Sequence, residues 1–219
     1  MSEKTRGYFD VKAIDLDPDD IVVNCEYCLD DVFHLKDLKQ RKLFLEENIM
    51  PLYVDEIVHY ILQYNKEDMG KPVEERQPIL LYLTSNGGSV TSGFKLIDAI
   101  INSKTPVYTI NFGHQYSMGF LIGLAGYKRF ASRNATFLMH DGQNFIWDSS
   151  SKVQDQVKFQ GRVNERVKEF VIQRSKGMLT EAEYDSKVRI EWYMFADEAK
   201  EKGFVDYIIG EDCDIDTVV

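Results

Sequence analysis

The stretch PILLYLTSNGGSVTSGFKLIDAIINS, residues 78–103, joins an apolar run to a helical pattern through a pair of glycines. Ile79 to Thr84 is nearly continuously apolar and bounded by turn formers, which is how a parallel strand buried on both faces reads. Gly87 and Gly88 break the run; they let the backbone turn sharply and leave N–H groups uncovered by side chains. VTSGFKLIDAIINS then resumes at helical spacing. The same order follows at once in PVYTINF, GHQYSMG and FLIGLAG: a second buried strand, a second turn and a short apolar helix. Strands alternating with helices predict an α/β domain of βα units, a fold that places its sites where strands end and helices begin.

Upstream, RKLFLEE predicts a short strand around Leu43 to Leu45. From Pro51, PLYVDEIVHYILQYN puts Leu52, Ile57, Tyr60, Ile61 and Tyr64 on one helical face, with the proline near the first turn. Downstream, KRFA and TFLMH predict two more strands, and HDGQNFIWDSSS a loop. VQDQVKFQGRVNERVKEFVIQRSKG predicts a long amphipathic helix with Val153, Val157, Val163, Val167, Phe170 and Val171 on one side. From Val153 to Arg174 it spans about 33 Å at about 1.5 Å per residue. Thr180 and Glu183 form a capping-box pattern, ADEAKEKGF ends in a glycine stop, and VDYII is a last strand. The polar, acid-rich first twenty residues predict a mobile arm.

At 219 residues the chain is one domain, or one with appendages, and 44% hydrophobic and 12% aromatic content can fill a core. A net charge of −10 sets nucleic-acid binding aside, since a phosphate backbone calls for basic surface. No apolar run approaches the roughly 20 residues of a membrane span. MSEKTRGYFDVKAIDLDPDD has no apolar core of a secretory signal, so the cytoplasm is the expected location. Of the three cysteines, Cys25 and Cys28 form a C-x-x-C, but no second pair follows to complete a zinc site; reduced thiols are the reading, and no metal is expected.

Ser117 falls at or beside a helix N-terminus, where unpaired N–H groups and the positive end of the dipole favour a developing anion. A serine beside bare amides is the minimum for acyl transfer, a nucleophile plus an oxyanion hole. The plainer reading is a serine N-cap and a glycine turn. Neither turn matches a G-x-S-x-G elbow, a dinucleotide fingerprint or a P-loop. A serine nucleophile needs a base. His34 lies in a charged stretch, His59 within an amphipathic helix, and His114 in the same turn as Ser117, where adjacency rarely aims one side chain at another. His140 ends the strand TFLMH, a position from which an imidazole can face a neighbouring turn.

SNGGSVTSG, YSMGF, FLMHDG and MFADEAKEKGFVDYII, taken together and in this order, resemble the Clp-type serine peptidases (ClpP) of the crotonase-like superfamily, from about Arg41 to Ile209. The resemblance implies a crotonase-like/ClpP fold of repeated βα units with a protruding handle helix. Residues 1–40 would be an N-terminal extension, 41–210 the peptidase domain with its handle at about 141–176, and 211–219 an acidic tail. It implies Ser117 as nucleophile, His140 as general base, and the N–H groups of Gly88 and Met118 as oxyanion hole. The third member departs from the usual aspartate: Glu191 stands at that position, with Asp185 and Asp141 as alternatives. HDGQNFIWDSSSKV is shorter than the usual glycine-rich handle strand, which bears on ring stacking and on substrate pairing by strand addition.

The resemblance further implies a homo-oligomer, a ring of seven with fourteen for stacked rings, working on unfolded polypeptide. The partner would be an AAA+ unfoldase that spends the ATP and docks at Tyr82, Phe130 and Ile209; Asn102 stands where an apolar group is usual. The subunit itself would need no cofactor and bind neither membrane nor nucleic acid. The function expected is ATP-dependent serine endopeptidase within an oligomeric chamber. The alternatives are a catalytically weak or silent structural ring subunit, and an acyl-CoA enzyme of the shared fold, a class that does not use a Ser/His pair.

Overall fold

The computed structural model describes residues 29–142 and 147–219, with side chains from residue 33 onward. Most of the expected arm, Cys25, Cys28 and the middle of the loop HDGQNFIWDSSS lie outside the described residues. The chain divides into two units, Met1–Leu43 and Phe44–Val219. The first holds α1 (Leu29–Lys39), with Leu35 and Leu38 buried and Phe33 exposed. Phe33 lies across a 3.6-residue helix from those two leucines, so no single apolar stripe announces this helix in the sequence. β1 (Lys42–Leu45) crosses the boundary, and its Phe44–Leu45 end belongs to the second unit.

In chain order the second unit continues with α2 (Pro51–Glu67), β2 (Ile79–Leu83), α3 (Val90–Asn102), β3 (Val107–Asn111), β4 (His114–Tyr116), α4 (Met118–Ala125), β5 (Lys128–Ser132) and β6 (Thr136–Met139). The long α5 (Ser150–Arg174), α6 (Glu181–Lys187), β7 (Trp192–Phe195), α7 (Ala196–Glu201) and β8 (Tyr207–Ile209) complete it. β2, β3, β5 and β8 lie side by side, all parallel, in one sheet. The Leu45 carbonyl accepts the Thr84 N–H beyond the β2 edge, at 3.0 Å. A second sheet has the order β4–β6–β7, parallel between β4 and β6 and antiparallel between β6 and β7.

The expected α/β organisation is therefore present, and burial explains why these residues form it. Ile79, Leu80, Leu81 and Leu83 are all buried, as a strand covered on both faces requires. α2 opens on Pro51, whose missing N–H has no helical acceptor to lose, and buries Val54, Ile57, Val58, Tyr60, Ile61 and Tyr64. Leu52, expected on that face, is instead 70% exposed, because it sits in the first turn ahead of the packed stripe. The Ser89 hydroxyl caps α3 by accepting the Ser92 N–H at 3.3 Å. Every residue of α4 is buried, which fits a helix apolar on all sides.

α5 behaves differently. Of its apolar side only Val171 is buried; Val153, Val163, Val167 and Phe170 are half-buried, and Val157 is exposed. Thr180 caps α6 by accepting the Glu183 N–H at 3.2 Å. Residues 211–219 carry acids at the surface, but the 3-10 turn Ile215–Val218 brings Val218 fully into the core against Leu80, Ile110 and Phe130. No described helix is long and apolar enough to cross a membrane.

Candidate active site

The turn after β2 is clamped from both sides. Ser85 exchanges backbone hydrogen bonds with β4, donating to the His114 carbonyl and accepting from the Tyr116 N–H, each at 2.9 Å. On the other side Ile49 donates to the Gly87 carbonyl at 2.8 Å and accepts from the Ser89 N–H at 2.9 Å. With its two neighbours bonded to Ile49, Gly88 has its own N–H turned to the opposite side of the strand. Gly88 has φ +144°, and a Cβ there would lie 2.6 Å from the Ile49 carbonyl oxygen, so only glycine fits.

Ser117 follows β4 and is the N-cap residue of α4, with φ 55° and ψ −120°. A non-glycine residue in this region is strained, and such strain collects at functional turns. It is the backbone form of a strand-to-helix elbow, built here without the flanking glycines of the G-x-S-x-G motif. The strain is held in place by neighbours. The Ser117 N–H donates to the Leu138 carbonyl of β6 at 2.9 Å, and a Cβ on Gly87 would stand 2.8 Å from the Ser117 Cβ and 3.1 Å from the Met118 nitrogen. As the first residue of α4, Met118 presents an N–H without a helical acceptor. Among the described residues, neither the Gly88 nor the Met118 N–H meets a backbone acceptor. Ser117 does not cap α4 with its side chain, and among the described residues its half-buried hydroxyl has no hydrogen-bond partner.

Register places the remaining groups. β6 and β7 pair antiparallel as Leu138 with Tyr193 and Met139 with Trp192, so the next position sets His140 opposite Glu191. Their side chains meet at 3.0 Å, His140 Nδ1 to Glu191 Oε1. The imidazole is thereby oriented, with Nε2 as its other nitrogen. The side chain of His140 is 19% exposed and that of Glu191 57%, so base and acid sit at the mouth of the site rather than in the core. Of the alternative acids, the Asp185 carboxylate pairs with Lys168 at 2.9 Å, and Asp141 donates its backbone N–H to the Val188 carbonyl at 2.7 Å. His114 leans on the Tyr116 ring at 4.7 Å and His59 on Tyr60 at 5.8 Å.

Of the glycine pair, it is Gly87 that abuts the serine, while Gly88 lies against Ile49. Tyr193 stands two residues after Glu191 on the same face of the extended chain, and the E-x-Y spacing would have shown this had WYMF been read as a strand.

The family model described as Clp protease matches residues 29–212. This chain belongs to the Clp protease family. It is 30% identical, over 173 residues, to the ATP-dependent Clp protease proteolytic subunit 2 of Tropheryma whipplei (strain Twist); the match covers 78% of this chain and 92% of that one. Membership makes it a ClpP-type protease, a hydrolase of proteolysis, and at that identity a divergent one.

In this ClpP-type chain the three residues expected to dock a partner come together on the main sheet. Phe130 is buried at 3% exposure, and Tyr82 and Ile209 pack half-buried on the same cluster. Phe44 stacks on Tyr82 at 4.7 Å between ring centroids and is itself exposed. The cluster is closed on one side by residues 215–218: Val218 lies within it, and the Tyr82 hydroxyl donates to the Val218 carbonyl.

Proposed function

We propose that the chain is a serine endopeptidase of the Clp type that hydrolyses unfolded polypeptide. Ser117 is the nucleophile, His140 the general base and Glu191 the orienting acid. The observation that carries the reading is the 3.0 Å pair of His140 and Glu191 at the end of the strand whose Leu138 carbonyl accepts the N–H of the strained Ser117. Ser117 Oγ attacks the scissile carbonyl while His140 Nε2 takes its proton. The tetrahedral oxygen settles on the Gly88 and Met118 N–H groups. Collapse breaks the C–N bond, the imidazolium returns the proton to the leaving amine, and water, deprotonated by the same imidazole, releases the acyl group from Ser117. Glu191 holds the imidazole in the tautomer that presents Nε2 and balances its charge in between; neither metal nor cofactor enters this chemistry.

The same reading makes the working form a ring of this chain, of seven subunits or two such rings, with the sites facing an enclosed chamber. An AAA+ unfoldase that hydrolyses ATP would feed it and engage the cluster of Tyr82, Phe130 and Ile209. A fluorophosphonate probe tests the centre of the proposal. It is expected to label Ser117 in the assembled protein, and Ser117→Ala is expected to abolish both labelling and peptide hydrolysis while leaving the assembly intact. An assembled but unlabelled wild-type protein would instead identify a catalytically silent ring subunit.

A further inference from the structure

We infer that Tyr193 is a positioning residue for Glu191, a second anchor that a glutamate needs where its carboxylate must reach His140 from an exposed strand end. The inference rests on the triad proposed above and extends it by one residue. Glu191 carries a flexible side chain, 57% exposed, and among the described residues its ion-pair partner is His140. A carboxylate held by one contact at the surface swings away readily, since ordering an exposed long side chain costs entropy that a single pair hardly offsets. Tyr193 is placed to limit that motion. It lies in β7 two residues beyond Glu191, which continues the β6–β7 register one position ahead of the strand, and side chains two apart along an extended chain share a face.

The tyrosine is itself braced. Its ring meets the Tyr116 ring edge-on, centroids 5.7 Å apart, and the Tyr116 hydroxyl is fixed to Thr136 Oγ1 at 2.9 Å. Tyr116 immediately precedes Ser117, so the brace runs from the nucleophile's own turn to the acid. Partial desolvation, then the charge of Glu191 and a hydrogen bond to it, push the Tyr193 phenol above its ordinary range. A phenol is protonated at neutral pH, so Tyr193 can donate to the Glu191 carboxylate. A phenylalanine would keep the ring contact with Tyr116 and lose only this donor.

Hydrolysis of a fluorogenic peptide by the full chain tests this with Tyr193→Phe, Glu191→Gln and the double variant. Tyr193→Phe is expected to lower kcat about 3- to 10-fold with KM unchanged, the range one net hydrogen bond spans. It is expected to cost nothing further in the Glu191→Gln background, because the carboxylate it steadies is gone. The rate of fluorophosphonate labelling gives the same comparison where Glu191→Gln turns over too slowly to read. Wild-type kcat in Tyr193→Phe, an equal loss in both backgrounds, or a change confined to KM overturns the positioning role and leaves the triad standing. Wild-type turnover in Glu191→Gln overturns both.

Discussion

Gly87 has no room for a side chain. It adopts φ +101°, and a Cβ would lie 2.8 Å from the Ser117 Cβ and 3.0 Å from the Tyr116 carbonyl oxygen. Gly87→Ala must therefore push the turn off the nucleophile, and misplacement near 1 Å costs about 10²-fold in rate. A loss of that order in kcat, with the chain still folded by circular dichroism, is the expected result; near-wild-type kcat would mean the turn does not set the serine's position. The acid gives the second prediction at this scale. Glu191→Gln keeps the shape and removes the charge facing His140 Nδ1, and the equivalent change in the serine-protease triad lowers kcat by about 10⁴. Steady-state hydrolysis of a peptide substrate measures it. Ser117 and His140 were legible as candidates, because a serine at a helix start and a histidine at a strand end are local patterns. The strain at Ser117 was not, since it arises from Gly87 and Leu138, which are distant in sequence. Glu191 came forward through the family resemblance, ahead of Asp185 and Asp141; its place opposite His140 and the Lys168 partner of Asp185 are visible only in the fold.

Between elements, one ionic group ties the far end of the serine's helix to the main sheet. Arg129 on β5 grips Asp206 with Nε and Nη2 at 3.0 and 2.7 Å, and Lys176 adds a contact at 2.5 Å. Arg129 also donates to the Arg174 carbonyl at 2.9 Å, and Arg174 donates to the carbonyls of Leu124 and Gly126 at the end of α4. Cations at a helix C-terminus satisfy its free carbonyls and its dipole. Burial alone would raise the Asp206 carboxyl, but the hydrogen bonds and charges of Arg129 and Lys176 outweigh it and bring it from 3.8 down to about 2. A depressed carboxylate stabilises the fold fully above its unfolded value and loses that contribution as pH falls. Stability should thus drop by on the order of 2 kcal/mol between about pH 4 and pH 2 through this group alone. Urea midpoints across that range should fall less steeply in Asp206→Asn, which starts lower at neutral pH; parallel curves would mean that Asp206 does not carry the effect. The elements this group joins were legible from apolar runs and helical spacing. β4 and β7 were not: HQY is three residues long, and WYMF shows no apolar–polar alternation because aromatic Tyr193 and Phe195 occupy its exposed face.

For the molecule as a whole, α5 is the feature that one copy does not account for. It runs for 25 residues, about 37 Å, yet buries only Val171. Val157 and Phe159 are 56% and 60% exposed. Helices in water draw most of their stability from packing of an apolar face, and here much of that face is left open by the described residues. The sequence announced the stripe but not whether it is covered from inside, because amphipathic periodicity is the same for a core-facing helix and an interface helix. Residues 211–219 read as an acidic tail, yet Val218 is fully buried and Cys213 packs beside it on the cluster of Leu80, Ile110 and Phe130. If α5 is where copies meet in the proposed ring assembly, Phe159→Glu places a charge where a partner's apolar surface must sit, and the native mass should fall to a smaller assembly at micromolar protein. The protomer should stay folded, because Phe159 contributes little to its own core, and far-UV circular dichroism would detect any exception. A wild-type native mass in Phe159→Glu would exclude this stretch of α5 from the contact between copies, and the search for it would move to the aromatic surface at Phe44 and Phe112.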